Sequence, residues 1–534
     1  MSAAFQPGRI LQALSRKTSR FLKRYRTRGG GVAVTFALAL IPMSMLGLAA
    51  VDFHRASSVK MQLQDALDAA TLAAARSTAT TQAGIQTIGA NVLKANLKSF
   101  ADVSLTSSSF VLGNDGTVTS TAYVDVKPLI ANLFLGSDMP VKAEAIVKRA
   151  NNKIELALVL DNTGSMSSSN KLTNTKTAAT GLINTLAAAA ARTTETDAVR
   201  ISLVPFSISV RLPTTYKTAT WMDQNAASPI NDLIFTQGNA STVNHANRWT
   251  LFNNMNISWA GCVESRKYPY DVQDTAPTTA TPATLFTPFF APDEPDVSDY
   301  NNDNTWKNYD TTNNYIDDGL SANSGNKNWW TRQGRTAKYV SSGLNTSNGK
   351  GPNMGCTMQP LSRLTTDYNS LKTSINAMVA TGNTNVPMGL VWGWHTISPN
   401  TPFADGKAYG TDKLKKIIVL MTDGENTYGD ANNPNESFYI GLGYIFQNRL
   451  GITSGTESQR RAKMDARMGE LCTNIKAKNI ELYVIGVMVD SYTSSLLSAC
   501  ATDSAHYFDV SQSSQLTDVF NTIAGSIANM HLSH

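Results

Sequence analysis

The sequence predicts an α/β protein. A doubly wound, mostly parallel sheet carries a long irregular insertion and follows an amino-terminal transmembrane helix and a small helix-plus-strands region. Three observations predict this. Residues 31–51 form an uncharged apolar run. From Ile154 onward, short apolar runs alternate with helical stretches, as in sheets built from strand–helix–strand units. That alternation breaks between about Arg211 and Leu364 and then resumes.

Residues 1–28 hold Arg9, Arg16, Lys17, Arg20, Lys23, Arg24, Arg26 and Arg28, and no acidic residue. The run behind them is long enough for a spanning helix, which needs roughly 20 apolar residues. A basic tail before such a run predicts a cytoplasmic amino terminus, a span over residues 29–52 and export of the rest. The expected location is the inner membrane, single-pass, with the bulk periplasmic or extracellular. A cleaved signal peptide is the competing reading: Leu48-Ala49-Ala50 permits cleavage, although the run is long for that class. The tail's positive charges exceed the chain's net +6, so the remainder is close to neutral or slightly acidic. No nucleic-acid partner is expected; the tail suits an anionic membrane face.

From Asp52 to about Ala90 the chain reads as one exported helix, within a segment 53–100. Leu63, Ala66, Leu67, Ala70 and Ala74 share a face at helical spacing. Residues 101–150 form a small β region, with separate strands at Ser104, Phe110, Val118–Val126 and Val141–Lys148. Gly113-Asn114-Asp115-Gly116 marks a turn. The basic tail, the Gly-Val-Ala-Val start of the apolar run, Asp52 and the stretch Leu63–Arg76 together resemble the amino-terminal region of TadG-like proteins of the Flp (Tad) pilus assembly system. That family is related to type IV pilins, whose processing needs a Glu five residues past the cleavage point. Thr35 or Phe36 stands there if cleavage follows Gly30 or Gly31, so a permanent anchor is expected.

The sheet domain falls in two parts, 151–210 and 366–534. Its expected elements are strand Ile154–Leu160, helix Leu172–Arg192, strand Val199–Ser207, helices Thr366–Ala380 and Gly389–Ile397, strand Lys416–Thr422, helix Gln459–Lys478, strand Ile480–Asp490 and helix Ser514–Asn529. Two apolar runs end in aspartate. Asp161, Thr163 and Ser165 alternate just past the first; Asp423 ends the second. Ligands of such sheets bind beyond the carboxyl ends of the strands. One carboxylate and two hydroxyls offer the hard oxygens that Mg²⁺ and Mn²⁺ prefer.

Asp161-x-Thr163-x-Ser165-Met166, the loop Thr381–Leu390 and Thr422-Asp423-Gly424-Glu425 resemble the metal-ion-dependent adhesion site of von Willebrand factor A domains. Thr163 stands where that family has Ser, and both supply a hydroxyl. The resemblance implies that Asp161, Thr163, Ser165, Thr384 and Asp423 hold one Mg²⁺ or Mn²⁺. An open position would take a carboxylate from a pilus-assembly or cell-envelope partner.

Residues 211–365 read as an inserted, disulfide-held subdomain with six of the eight tryptophans. Its aromatic residues suit either a small core or stacking on sugars, and the core is the better reading. Trp259–Arg266 is similar to a segment of TadG-like proteins. The four cysteines fit two bridges in an oxidising compartment, expected as Cys262–Cys356 and Cys472–Cys500. No histidine clusters with them, which argues against zinc. Asp299–Asp310 imitates a calcium loop but lacks the central Gly and the Glu. Gly349-Lys350-Gly351 lacks the Ser/Thr and strand of a phosphate loop.

Three functions compete: a membrane-anchored pilus-assembly protein that binds a partner through metal; a pilus-tip or surface adhesin; and, least of all, an enzyme. The six histidines are scattered and no catalytic motif occurs.

Overall fold

The computed structural model describes residues 31–77, 79, 81–97, 103–113, 116–127, 138–148, 153–191, 195–234, 246–296, 298–300, 306–317 and 329–532. The basic tail and the turn residues Asn114 and Asp115 lie outside these, as does part of the calcium-loop imitation. The chain divides into two compact units, one ending at Arg149 and one spanning Ala150–Ser533.

The first unit holds α1 (Gly31–Arg76), α2 (Gln82–Leu97) and an antiparallel sheet of β1 (Val103–Leu112), β2 (Thr117–Val126) and β3 (Met139–Lys148) in that order. Burial alternates along β2 and β3, so one face is apolar. Leu63, Leu67 and Ala74 of α1 and Ile85 and Leu93 of α2 pack on Phe110, Val118, Val124 and Ala143. Within residues 31–51 the side chains of Val32, Phe36, Leu40, Ile41 and Met43 are exposed, on a helix long and apolar enough to cross a membrane.

Two expectations need correction here. The exported helix does not run to Ala90; it ends at Arg76 and a second helix starts at Gln82. The Ser77 hydroxyl donates back to the Ala74 carbonyl at 2.7 Å, and the threonines that follow are poor helix formers. The two short strands at Ser104 and Phe110 are one strand, β1, with a register shift between Leu105 and Ser107. The Gly113 N–H donates to the Thr117 carbonyl at 2.7 Å and closes the hairpin.

The second unit is built on a six-stranded sheet. Its strands are β4 (Lys153–Asp161), β5 (Val199–Phe206), β8 (Ser362–Thr365), β9 (Leu414–Thr422), β10 (Glu481–Val487) and β11 (Tyr507–Val510). A separate ribbon pairs β6 (Ser298–Tyr300) with β7 (Trp306–Asn308). The sheet order is β11-β10-β9-β4-β5-β8. All neighbours are parallel except β8, which is antiparallel to β5 at the edge. This is the doubly wound order of the von Willebrand factor A fold. The helices are α3 (Lys171–Ala190), α4 (Arg248–Asn254), α5 (Trp329–Gln333), α6 (Tyr368–Asn376), α7 (Val386–Ile397), α8 (Glu457–Lys476), α9 (Ser491–Cys500) and α10 (Leu516–Leu532).

From Ile154 to Asp161, β4 is buried throughout, as a central parallel strand must be. Leu156, Leu158 and Leu160 face Leu182 and Leu186 of α3 and Phe520 and Ile523 of α10. Ala157 and Val159 face the other way, into a core shared with α7, α8 and the insertion.

The insertion is therefore not a separate subdomain. Trp249, Trp259, Phe252 and Phe290 join the core on the sheet's second face, although the Asn- and Thr-rich composition suggested an independent module. Its last residues, Ser362–Thr365, belong to the sheet as β8. Residues 424–455 form a second long connection that packs on the first: Ser265 N–H donates to Gly441 O at 2.8 Å, and Arg449 pairs with Glu264 at 2.7 Å. The disulfides are Cys262–Cys356 and Cys472–Cys500. The first closes the insertion and the second ties α8 to α9.

Every residue of α7 is buried, which explains its apolar character all round. A Cβ at Gly393 would overlap the Val159 side chain on β4, so this glycine sets how closely α7 approaches the sheet. On α8, Gly469 is exposed with nothing near its missing Cβ. Gly393→Ala should destabilise by about 1–3 kcal/mol through overpacking. Gly469→Ala should stabilise by roughly 0.5–1 kcal/mol through helix propensity. Urea denaturation midpoints that move the same way for both would refute this placement of α7.

Candidate metal centre

The strand order reverses between β4 and β9, and ligands of such sheets bind beyond the strand ends at that switch. The parallel register pairs Leu160 with Met421, so the next residues, Asp161 and Thr422, lie side by side and Asp423 follows. The Thr422 hydroxyl donates to Asp161 Oδ2 at 2.7 Å.

Asp161 Oδ1 accepts the Thr163 N–H at 2.8 Å and also the Thr163 hydroxyl. The Ser165 hydroxyl donates to Asp423 Oδ1 at 2.7 Å. Thr163 Oγ1 and Ser165 Oγ are 3.0 Å apart. Each hydroxyl carries one hydrogen, and an ionised carboxylate can only accept. Both hydroxyls also bond an aspartate, and the 3.0 Å contact between their oxygens is one that either hydroxyl can donate. Two carboxylates and two such oxygens suit a hard divalent cation. Asp161, Thr163 and Asp423 are buried, while Ser165 is exposed and marks the side open to solvent.

Thr384 comes near through its loop. The Gly164 N–H donates to Gly382 O at 2.9 Å, and the Thr381 N–H donates to Asn162 O at 2.8 Å. The Thr384 N–H donates to Thr427 Oγ1 at 2.7 Å. No hydrogen bond joins its hydroxyl to the other four residues. Glu425 pairs with Arg461. Among the described residues no group of three or more His, Cys, Asp or Glu could hold a metal ion, so a site here depends on hydroxyl ligands.

Two participants were missed in the sequence. Thr422 was read as the last residue of a strand. The expected helix begins one residue after Lys171, whose Nζ sits 2.8 Å from Asp423 Oδ2. Its signal was present: a lysine six residues past Ser165, at the start of a helix, where positive charge is disfavoured.

A family model described as putative Flp pilus-assembly TadE/G-like matches residues 30–77. The amino-terminal segment is TadE/G-like. No curated protein matches the chain. Several solved structures are similar to it. The pilus adhesin SpaC from Lactobacillus rhamnosus GG has 12% identity and TM-score 0.31, over 80% of this chain and 35% of that one. The chain thus spans about a third of SpaC's length. The von Willebrand factor domain of the type V pili tip protein Mfa5 from Porphyromonas gingivalis has 12% identity and TM-score 0.32, over 72% of this chain and 97% of that one. Proximal thread matrix protein 1 from the mussel byssus, solved with a zinc-occupied MIDAS motif, has 9% identity and TM-score 0.28, over 72% and 47%. The fold assignment of this chain rests on its strand order, not on these likenesses.

Burial, and then the nearby Asp423 carboxylate, push the Asp161 carboxyl up to about 6, against opposing hydrogen bonds from Thr163 and Thr422. A raised carboxyl favours folding when protonated. Its contribution is full below the ordinary value of 3.8 and is lost as pH rises through about 6. In chelator, the stability of wild type relative to Asp161→Asn should therefore fall by about 1–3 kcal/mol between pH 4 and pH 7. Denaturation curves that stay parallel across that range would refute the assignment.

Proposed function

We propose that this chain is a membrane-anchored, exported protein of Flp (Tad) pilus assembly. Its A-type domain binds a partner protein through one Mg²⁺ or Mn²⁺. Asp161 and Asp423 supply the charge, and Thr163, Ser165 and Thr384 supply neutral oxygens. The observation that carries this reading is the convergence of the Thr163 and Ser165 hydroxyl oxygens, 3.0 Å apart, between two buried carboxylates. A cation held by two carboxylates and hydroxyls keeps positive charge in excess once the rest of its shell is water. A carboxylate from a pilus or envelope partner would complete that shell at the Ser165 side. The role is binding, and no catalytic residue is assigned.

The TadE/G-like match and the exposed apolar start of α1 support an inner-membrane anchor with the amino terminus in the cytoplasm and residues 53–534 outside. Protease added to spheroplasts should digest the second unit. Its protection would overturn the topology.

Asparagine is the better replacement at the site, because both carboxylates are buried and alanine would leave Lys171 unpaired. Asp161→Asn and Asp423→Asn should abolish Mn²⁺ binding in calorimetric titration of the full-length protein in detergent. Both should also abolish metal-dependent capture of pilus components. Equal Mn²⁺ binding by wild type and Asp161→Asn would reduce the motif to a pair of turns. Loss of metal with partners retained would make the site structural.

A further inference from the structure

Lys171 breaks a local rule. It opens α3, a 20-residue helix with no acidic residue in its first turn, and the N-cap Asn170 makes no side-chain cap bond. A helix amino terminus carries partial positive charge, so a cation there is repelled. The Lys171 side chain is also only 10% exposed and has lost most of its hydration. Both costs are offset by one partner, Asp423, whose side chain is 0% exposed. A neutral residue at position 171 would start the helix at lower electrostatic cost. The charge placed there faces one of the two carboxylates of the candidate metal centre.

We propose that Lys171 is the resident counter-cation of this centre, competing with a divalent ion for Asp423 and holding the metal-free site closed and partly neutralised, a role that rests on the metal reading above. Asp423 has two oxygens. Ser165 takes Oδ1 and Lys171 takes Oδ2. A divalent ion arriving beside the ammonium meets a like charge within a few ångströms, which weakens its binding. Full binding needs the ammonium to leave Oδ2, and its four-carbon stem gives it the reach. The centre then has two arrangements: lysine on Asp423 without metal, and metal on Asp423 with lysine released toward solvent.

The test uses the full-length protein in detergent with Mn²⁺ as the probe. Lys171→Gln keeps a hydrogen-bond donor and removes the charge; Lys171→Arg keeps the charge. Lys171→Gln should bind Mn²⁺ about tenfold more tightly than wild type, and Lys171→Arg should stay close to wild type. Equal affinity in wild type and Lys171→Gln would overturn the competition and leave Lys171 a structural ion pair, with the metal reading intact. If neither protein binds Mn²⁺, the metal reading falls and the competition with it. A second measurement needs no variant to fold. Acetylation of Lys171 by an amine-reactive ester, followed by mass spectrometry, should rise several-fold in wild type when Mn²⁺ is added. Wild-type labelling that ignores saturating Mn²⁺ would overturn the proposal.

Discussion

The site depends on one electrostatic constraint: two carboxylates brought together at the ends of adjacent parallel strands. β4 and β9 are hydrogen-bonded in register up to Leu160 and Met421, so the chain cannot separate Asp161 from Asp423 without breaking the sheet. Each is buried, and a buried carboxylate must be protonated, paired or metal-bound. The local structure responds to that requirement. Two threonine hydroxyls and a backbone N–H point at Asp161, while a serine hydroxyl and a lysine point at Asp423. These donors reduce the excess negative charge without removing it, which is why burial and Asp423 still hold the Asp161 carboxyl high.

The rest of the second unit keeps that arrangement rigid. α7 is buried all round and lies close on the sheet through glycine. Its N-cap, Asn385, accepts the Met388 N–H and follows directly on Thr384, so the third loop is fixed to the start of a core helix. The Asn385 N–H in turn donates to Ser207 O at 3.1 Å, just past the end of β5. The insertion and residues 424–455 cover the same face of the sheet with a shared aromatic core. Residues far apart in sequence thus hold the loops at the strand ends in place.

Much of this was legible in the sequence because parallel strands buried on both faces read as apolar runs, and their ends read as Asp161 and Asp423. The disulfide partners were legible from their grouping. What escaped was short or disguised. β8 has four residues, and Arg363 within it pairs outward with Asp405. β11 is also four residues long and is only partly buried except at Val510. α9 is rich in serine and carries little helical signal. Residues 424–455 look like a polar loop because their tyrosines and isoleucines are spaced without period, yet Tyr428, Tyr439, Ile440 and Tyr444 are core. Lys171 escaped because motif reading asks which oxygens a metal needs, not which side-chain cation pairs with them.

A comparison within the same two strands shows how their two ends differ in charge. Near its start β4 carries Glu155, and β9 carries Lys416; both are buried and they pair with each other. Glu155 also pairs with Arg200 and accepts the Lys407 N–H at 3.0 Å. One carboxylate there has two cations and a backbone donor, so its charge is more than matched. At the other end Lys171 pairs with Asp423, while the donors to Asp161 are two threonine hydroxyls and a backbone N–H. Both ends are comparably buried, so exposure does not separate them. The difference lies in the balance of charge. A cluster that closes its own account of charge fixes strand register and has no use for a ligand. Where two carboxylates and two hydroxyl oxygens converge on a single paired lysine, negative charge remains in excess, and the proposed cation site rests on that imbalance.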